Sequence, residues 1–369
     1  MRHFSNKFFI VIVLGLFLII AAGCNANTGQ ETKSTAATEP AVSKTSLDLA
    51  ARHPASNSTV ATSTEPLGEF SLDEIGASNI VDVNFVESKI GDPNWVIIDG
   101  REKKDYDKGH IPGAVNFPNS IVKTLKDPMD GRVIPGDRMA KLLGEIGVSN
   151  DKKVIIYGKA GDYHVLCEMG PLYFGLSEWD YLDSGYEGWV KAGKKVETTP
   201  VKPTPATFTA KVVNPNMYVS TYQMAQIVES KDPKYYIIDV RSEEEFNGQG
   251  IQGVRAGRIP GAHSYPVNKN LDKDTKALLP LDKLAELYKD VPKDKTVILY
   301  CHRGCRTGFA FLALRALGYK DVRVYEDGFV VWNQWLELPV EEEHFLNFRG
   351  DIKTTVEQVK EMTKDQAGH

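Results

Sequence analysis

The sequence predicts an α/β fold of two similar units, each a doubly wound, mainly parallel sheet with helices on both faces. Three observations predict it. The chain repeats itself: "NWVIIDGREKKDYDKGHIPGAVNFP" (Asn94 to Pro118) and "KYYIIDVRSEEEFNGQGIQGVRAGRIPGAHSYP" (Lys234 to Pro266) share an apolar run, an Asp-x-Arg, an acidic helical turn and "IPGA". The second copy is eight residues longer between the Arg and the IPGA. Further on, "KVIIYGKAGDYH" (Lys153 to His164) answers "TVILYCHRGCRT" (Thr296 to Thr307), and "SGYEGW" (Ser184 to Trp189) answers "DGFVVW" (Asp327 to Trp332), both at a spacing of 143 residues. Finally, continuously apolar runs such as "YYIID" and "TVILY" read as strands covered on both faces, while "LDKLAELYKDV" and "TGFAFLALRALG" space apolar residues for helices. Strand, helix, strand, helix argues for a parallel sheet.

In chain order, residues 1–23 read as an export signal: Arg2 and Lys7 precede the apolar run Phe8 to Ile20, which leaves through small residues. Its thirteen residues fall short of the roughly 20 that span a bilayer as a helix. Ala21-Ala22-Gly23-Cys24 resembles the bacterial lipobox, with Ala21 where Leu is usual, which implies cleavage before Cys24 and acylation of its thiol. Residues 24–75 are expected to be a lipid-anchored flexible tether, because the Ala-, Ser-, Thr- and Asn-rich stretch up to about Pro66 has almost no large apolar side chains. The first unit follows at 76–198, a linker at 199–214 rich in Pro and Thr, and the second unit at 215–345. Residues 346–369 form a tail that ends in a charged, weakly amphipathic helix, a surface for an envelope protein partner or a cover for the domain. The expected location is extracytoplasmic, exported and held at the cell envelope membrane through the lipid anchor.

Charged residues make up 25% of the chain and the formal net charge is −5, so no nucleic-acid partner is expected. Besides Cys24 the chain has Cys167, Cys301 and Cys305. Three thiols cannot all pair, so at least one is free and asks for a chemical reason.

Cys301 supplies one. It ends the strand Val297–Tyr300, at the carboxyl edge where sites in such sheets lie, as Asp239 does in its own strand. The loop His302 to Arg306 also opens the next helix, so its N–H groups, the helix dipole and the cations Arg303 and Arg306 should favour thiolate over thiol. Gly304 lets the loop turn without a Cβ clash.

Both units resemble rhodanese domains, and the pair is similar to the two-domain sulfurtransferases. The resemblance covers roughly 76–345 and rests on "IIDVR", "GRIPGAHSYP", "YCHRGCRTG", "ALGYKDVRVYEDGFVVW" and "LPVE". It implies a ping-pong sulfurtransferase in which Cys301 is the nucleophile and His302, Arg303, Gly304, Cys305 and Arg306 cradle its persulfide. The donor would be thiosulfate or a related small anionic sulfur compound, and the acceptor cyanide or a thiol. Arg303 and Arg306 would attract the donor and neutralise the leaving sulfite. Asp239 and Arg241 match the Asp-x-Arg that braces the loop, and Arg258 of "GRIPGA" is a further supporting candidate at the same mouth. In the first unit Gly158 stands where Cys301 stands and Tyr163 replaces Arg306, so that unit is expected to be structural, one wall of the cleft. Cys167, opposite Ala310, is expected inside the following helix as a small core residue.

Competing readings are narrower. Phosphatases and arsenate reductases of the same fold carry Cys-x5-Arg, whereas Cys301 to Arg306 is Cys-x4-Arg, a pocket for a sulfur atom. No metal and no cofactor beyond the covalent persulfide is expected, since haem attachment needs C-x-x-C-H and zinc lacks a fourth ligand. The loop matches neither the mercaptopyruvate "CG-S/T-GVT" nor the animal-type "CRKGVT", and Glu245 stands where two-domain enzymes place an arginine before the aromatic Phe246. Cys305 leaves two roles open, a tolerated small residue or a resolving thiol that forms a Cys301–Cys305 disulfide. The alternative function is a carrier of sulfur or selenium without turnover, or a redox-linked binding subunit of an envelope complex.

Overall fold

A computed structural model describes residues 44–53, 62–117, 133–250 and 253–345, all within one compact unit that begins at Ala41. The expected signal, the acylated Cys24 and the tail helix of 346–369 lie outside the described residues, as does the Cys167 side chain. Among the described residues no helix is long and apolar enough to cross a membrane.

Each repeat builds a five-stranded parallel sheet. The first uses β1 (Ile80–Val81), β2 (Trp95–Asp99), β3 (Val115–Asn116), β4 (Lys153–Tyr157) and β5 (Glu178–Leu182), in the order β1-β5-β4-β2-β3. The second uses β6 (Tyr218–Val219), β7 (Tyr235–Asp239), β9 (His263–Ser264), β10 (Thr296–Tyr300) and β11 (Val322–Tyr325), in the order β6-β11-β10-β7-β9. The central strands are buried runs of Val, Ile, Leu and Tyr because helices cover both faces. Successive residues point to opposite faces, so Ile237, Ile298 and Tyr300 enter one core and Ile238, Val297 and Leu299 another.

That second core is continuous with the first repeat. Helix Thr307–Ala316, "TGFAFLALRA", is buried from Thr307 through Leu314. A helix apolar all round needs cover on every side, and here the first domain supplies it: a Cβ on Gly308 would stand 2.7 Å from Leu166 Cβ, and Phe309 meets Tyr163 edge-on at 6.2 Å. The equivalent stretch of the first repeat is not one long helix. Tyr163–Met169 is a 3-10 turn capped by Asp162, and only Gly170–Tyr173 is helical, since Pro171 lacks the N–H that would continue the ladder to the carbonyl of residue 167 and its ring crowds that carbonyl.

The segment expected to be a loose tether is built into the fold in its described parts. Helix Lys44–Arg52 packs on helix Thr221–Ser230, with Leu49 buried beside Tyr222 and Ala225. The His53 ring stacks on Trp335 at 4.2 Å. Gln223 and Gln226 donate to the carbonyls of Glu65 and Thr64 at 3.1 and 2.9 Å, and Phe70 and Leu72 join the core. Leu49 of "SLDLAAR" is the sequence signal for this docking, easily lost in a polar stretch. The 199–214 linker is likewise pinned: Ala206 N–H donates to Gly144 O at 2.9 Å, Val213 N–H to Tyr173 O at 3.0 Å, and Phe208 is buried.

The eight extra residues of the second repeat make β8 (Arg255–Arg258), which pairs antiparallel with β12 (Glu341–Phe345). Arg255 anchors this ribbon from inside, donating to the carbonyls of Asn333, Trp335 and Leu338 at 3.1, 2.8 and 2.8 Å and to Glu343 at 2.6 Å.

Candidate active site

The loop after β10 delivers Cys301 as a free thiol, 2% exposed. Gly304 directs its N–H at the sulfur, 2.8 Å away. Its φ of +97° is what turns that amide inward, a conformation glycine adopts at no steric cost. The loop is held from above by a second helix start: Phe329 and Val330 N–H groups donate to the carbonyls of Cys301 and His302 at 2.8 and 2.9 Å. Gly328 permits this approach, because at φ +63° a Cβ there would lie 2.6 Å from His302 O and 3.0 Å from Cys301 O.

Behind the loop, Asp239 sits in register opposite Tyr300, the residue before Cys301. Its carboxylate takes the Arg241 Nε at 3.0 Å and Nη2 at 2.7 Å, and the same guanidinium reaches Gly257 O at 2.7 Å and lies 4.0 Å from the Phe329 ring. Burial alone would lower the Arg241 pKa; the Asp239 charge and hydrogen bond outweigh it and raise it, so the guanidinium stays charged. Burial also pushes the Tyr300 hydroxyl well above its ordinary value, with Asp239 adding to it. The first repeat reproduces the brace: Arg101 grips Asp99 at 3.1 and 2.6 Å and Gly109 O at 2.7 Å, while the Tyr157 hydroxyl donates to Asp99 at 2.7 Å. A pair conserved in geometry where no nucleophile stands holds backbone rather than moves protons.

At the mouth, Arg306 forms a bidentate pair with Glu245, Nη1–Oε2 2.5 Å and Nη2–Oε1 3.0 Å. Glu245 is itself fixed by Ser242, which exchanges two hydrogen bonds with it at 3.1 and 3.2 Å as a capping box for the turn Glu243–Phe246. Burial would raise the Glu245 carboxyl, but Arg306 overrides it and brings it down to about 2. His302 is buried with no hydrogen-bond partner for Nδ1 among the described residues, and burial lowers it to about 3 despite the pull of Glu245. The imidazole is therefore neutral. Arg303 is exposed.

The first domain reaches this mouth through Tyr163, the repeat counterpart of Arg306. Burial raises its phenol, with Arg306 and Cys301 among the charges it feels. Its own loop has no room for a thiol: a Cβ at Gly158 would stand 2.9 Å from Val165 Cγ1 and 3.2 Å from Asp162 Cβ. The empty repeat is packed shut, not merely missing a sulfur.

Of the sequence candidates, Cys301, His302, Arg303, Gly304 and Arg306 share one loop with the Asp239–Arg241 brace behind it. Arg258 is not brought to the loop; it pairs with Glu341 at 3.0 Å and lies over the Phe246 ring at 4.4 Å, committed to the β8–β12 ribbon. Cys305 is disulfide-bonded while Cys301 is free, so of the two roles left open for Cys305 neither is what this structure shows: it is paired, and its bond is not to Cys301. Sequence reasoning missed Gly328, the contact of Glu245 with Arg306, and Tyr163 as a mouth residue, although the 143-residue repeat places Tyr163 opposite Arg306. A separate cavity of about 730 Å³ beside Leu271 is rimmed by Lys269, Lys273 and Lys276 and does not include Cys301. No cluster of three or more metal-ligating side chains occurs among the described residues.

This geometry can hold a reactive sulfur, shield it from water and stabilise negative charge on it through the Gly304 amide. Comparisons agree. A sulfur carrier protein of Thermus thermophilus is 26% identical over 71% of this chain and 95% of its own length, and a thiosulfate sulfurtransferase of Corynebacterium glutamicum is 28% identical over 71% and 90%. An anaerobic ergothioneine biosynthesis enzyme from Chlorobium limicola, solved with trimethyl histidine, shares the fold at a TM-score of 0.64 and 21% identity, covering 71% of this chain and 70% of that one. The Rhodanese-like domain family matches residues 82–192 and 220–334, the two repeats derived above, and the chain belongs to that family.

Proposed function

We propose that the protein is a sulfurtransferase that moves sulfane sulfur from thiosulfate or a related donor to cyanide or a thiol through a persulfide on Cys301. The observation that carries this reading is the buried free thiol with the Gly304 N–H on its sulfur at 2.8 Å. The Cys301 thiolate attacks the outer sulfur of thiosulfate; a new S–S bond forms, the S–S bond to sulfite breaks, and sulfite leaves with the electron pair. The acceptor then attacks the outer persulfide sulfur, and the Cys301 thiolate departs. Dividing one transfer into two displacements is the advantage of covalent catalysis. The Gly304 amide sits where negative charge collects on the sulfur.

A second reading is a carrier that hands sulfur or selenium to a partner without steady turnover; the Thermus relative's name, a sulfur carrier protein, supports the carrier part of it for sulfur. We place the protein outside the cytoplasm, anchored to the envelope membrane through Cys24, and the disulfide at Cys305 supports an oxidising compartment. Steady-state thiosulfate:cyanide turnover, with mass spectrometry of Cys301 and a Cys301→Ala control, separates the readings. The enzyme gives Cys301-dependent turnover and the mass gain of one sulfur atom. A carrier gives the adduct without turnover, and absence of the adduct with thiosulfate and with organic persulfides alike overturns both.

A further inference from the structure

The buried charges around Cys301 cancel, and the remaining cation of the loop, Arg303, is exposed, where solvent and salt screen it. Arg241 is matched by Asp239, and Arg306, the cradle's last residue, spends both terminal nitrogens on Glu245 at 2.5 and 3.0 Å. His302 is neutral. The phenol of Tyr163 faces the same groups from the first domain. Glu245 is 6% exposed and locked by Ser242, so its carboxylate is a fixed part of the mouth and not a surface charge that swings away. An incoming dianion meets a carboxylate and a guanidinium already occupied, and in a partly desolvated site that repulsion is strong.

We propose, on the basis of the sulfurtransferase reading above, that Glu245 selects the sulfur donor, disfavouring thiosulfate and admitting organic persulfides whose carrier group is neutral or cationic. In the step that follows, the Cys301 thiolate attacks the terminal sulfur of R–S–SH. The new S–S bond forms as the bond from that sulfur to R–S breaks. R–S⁻ leaves with the electron pair, the proton stays on the transferred sulfur, and no oxidant or reductant is consumed. The penalty on negative charge is a property of one carboxylate, so it disappears with that charge.

The test is a charge series on the wild-type chain. Persulfides of cysteamine, 2-mercaptoethanol and 3-mercaptopropionate have similar reach and carriers that are cationic, neutral and anionic. Second-order rates of Cys301 loading, read by mass spectrometry, are expected to fall along that order, with thiosulfate lowest. In Glu245→Gln, which keeps an acceptor for Arg306 but loses the charge, the thiosulfate-to-cysteamine-persulfide ratio of kcat/KM is expected to rise about tenfold, whatever happens to both rates together. A flat or reversed series in the wild type overturns the proposal, as does an unmoved ratio in the variant. Failure of every donor to load Cys301 overturns the sulfurtransferase reading instead, so the two failures are distinct.

Discussion

Asp239 lies directly across the sheet from Tyr300, and the next residue after Tyr300 is Cys301. The brace at the end of β7 and the thiol that follows β10 are thus neighbours across one ladder. In Asp239→Ala the buried Arg241 loses its counter-charge, which costs about 3–5 kcal/mol when one partner of such a pair is removed. The denaturant midpoint is expected to fall and Cys301 loading to slow. Asp99→Ala strips the same brace from the repeat that has Gly158 in place of Cys301, and is expected to lose comparable stability while loading of the folded protein persists. Equal effects of both substitutions on loading would show that the brace serves the fold alone.

Gly328→Ala is expected to damage chemistry more than stability. The new Cβ meets His302 O at 2.6 Å and the backbone is held at φ +63°, a combined strain on the order of 1–3 kcal/mol. The relief available is a shift of the Cys301–His302 backbone, and displacements of about 1 Å at reacting groups cost on the order of 100-fold in rate. Single-turnover sulfur loading measures this directly; a loss of less than about threefold would mean that the loop yields elsewhere.

His302 is expected not to titrate in the working range. Burial depresses its folded pKa to about 3, below the ordinary value of 6.5, so its contribution to stability is intact above pH 6.5 and is lost as pH falls toward 3. Glu245, held at about 2 against the ordinary 4.5, adds a loss of the same sign below pH 4.5. Denaturant unfolding should therefore weaken from pH 6.5 downward, by on the order of 2 kcal/mol at pH 4.5 from the imidazole. His302→Asn should flatten the part of that slope above pH 4.5. A histidine ring signal moving between pH 6 and 7 and absent from His302→Asn would refute the assignment.

The parts of this molecule legible in the sequence are those written locally and twice. The runs "YYIID" and "TVILY" became central parallel strands, the Asp-x-Arg became a brace in both units, and Gly158 against Cys301 marked which loop keeps a thiol. What stayed hidden depends on partners far along the chain. Arg306 and Glu245 are 61 residues apart, and neither side chain announces the other. Arg258 belongs to a ribbon whose second strand lies 83 residues away at Glu341. The 3-10 turn at Tyr163–Met169 shows where the repeat misleads: Pro171 redirects a stretch whose counterpart is a ten-residue helix.

The apolar helix Thr307–Ala316 also sets the unit of inheritance and folding apart from each other. A segment cut at the repeat boundary, 215–345, would carry the thiol, the brace and the mouth carboxylate, yet would leave Phe309 and Gly308 facing water where Tyr163 and Leu166 now stand. It would also lose Leu49, Phe70 and Leu72, which arrive from upstream of the first repeat. The first repeat thus serves its sibling as the outer wall of a buried helix, a task that asks for shape and not for a thiol in its own loop.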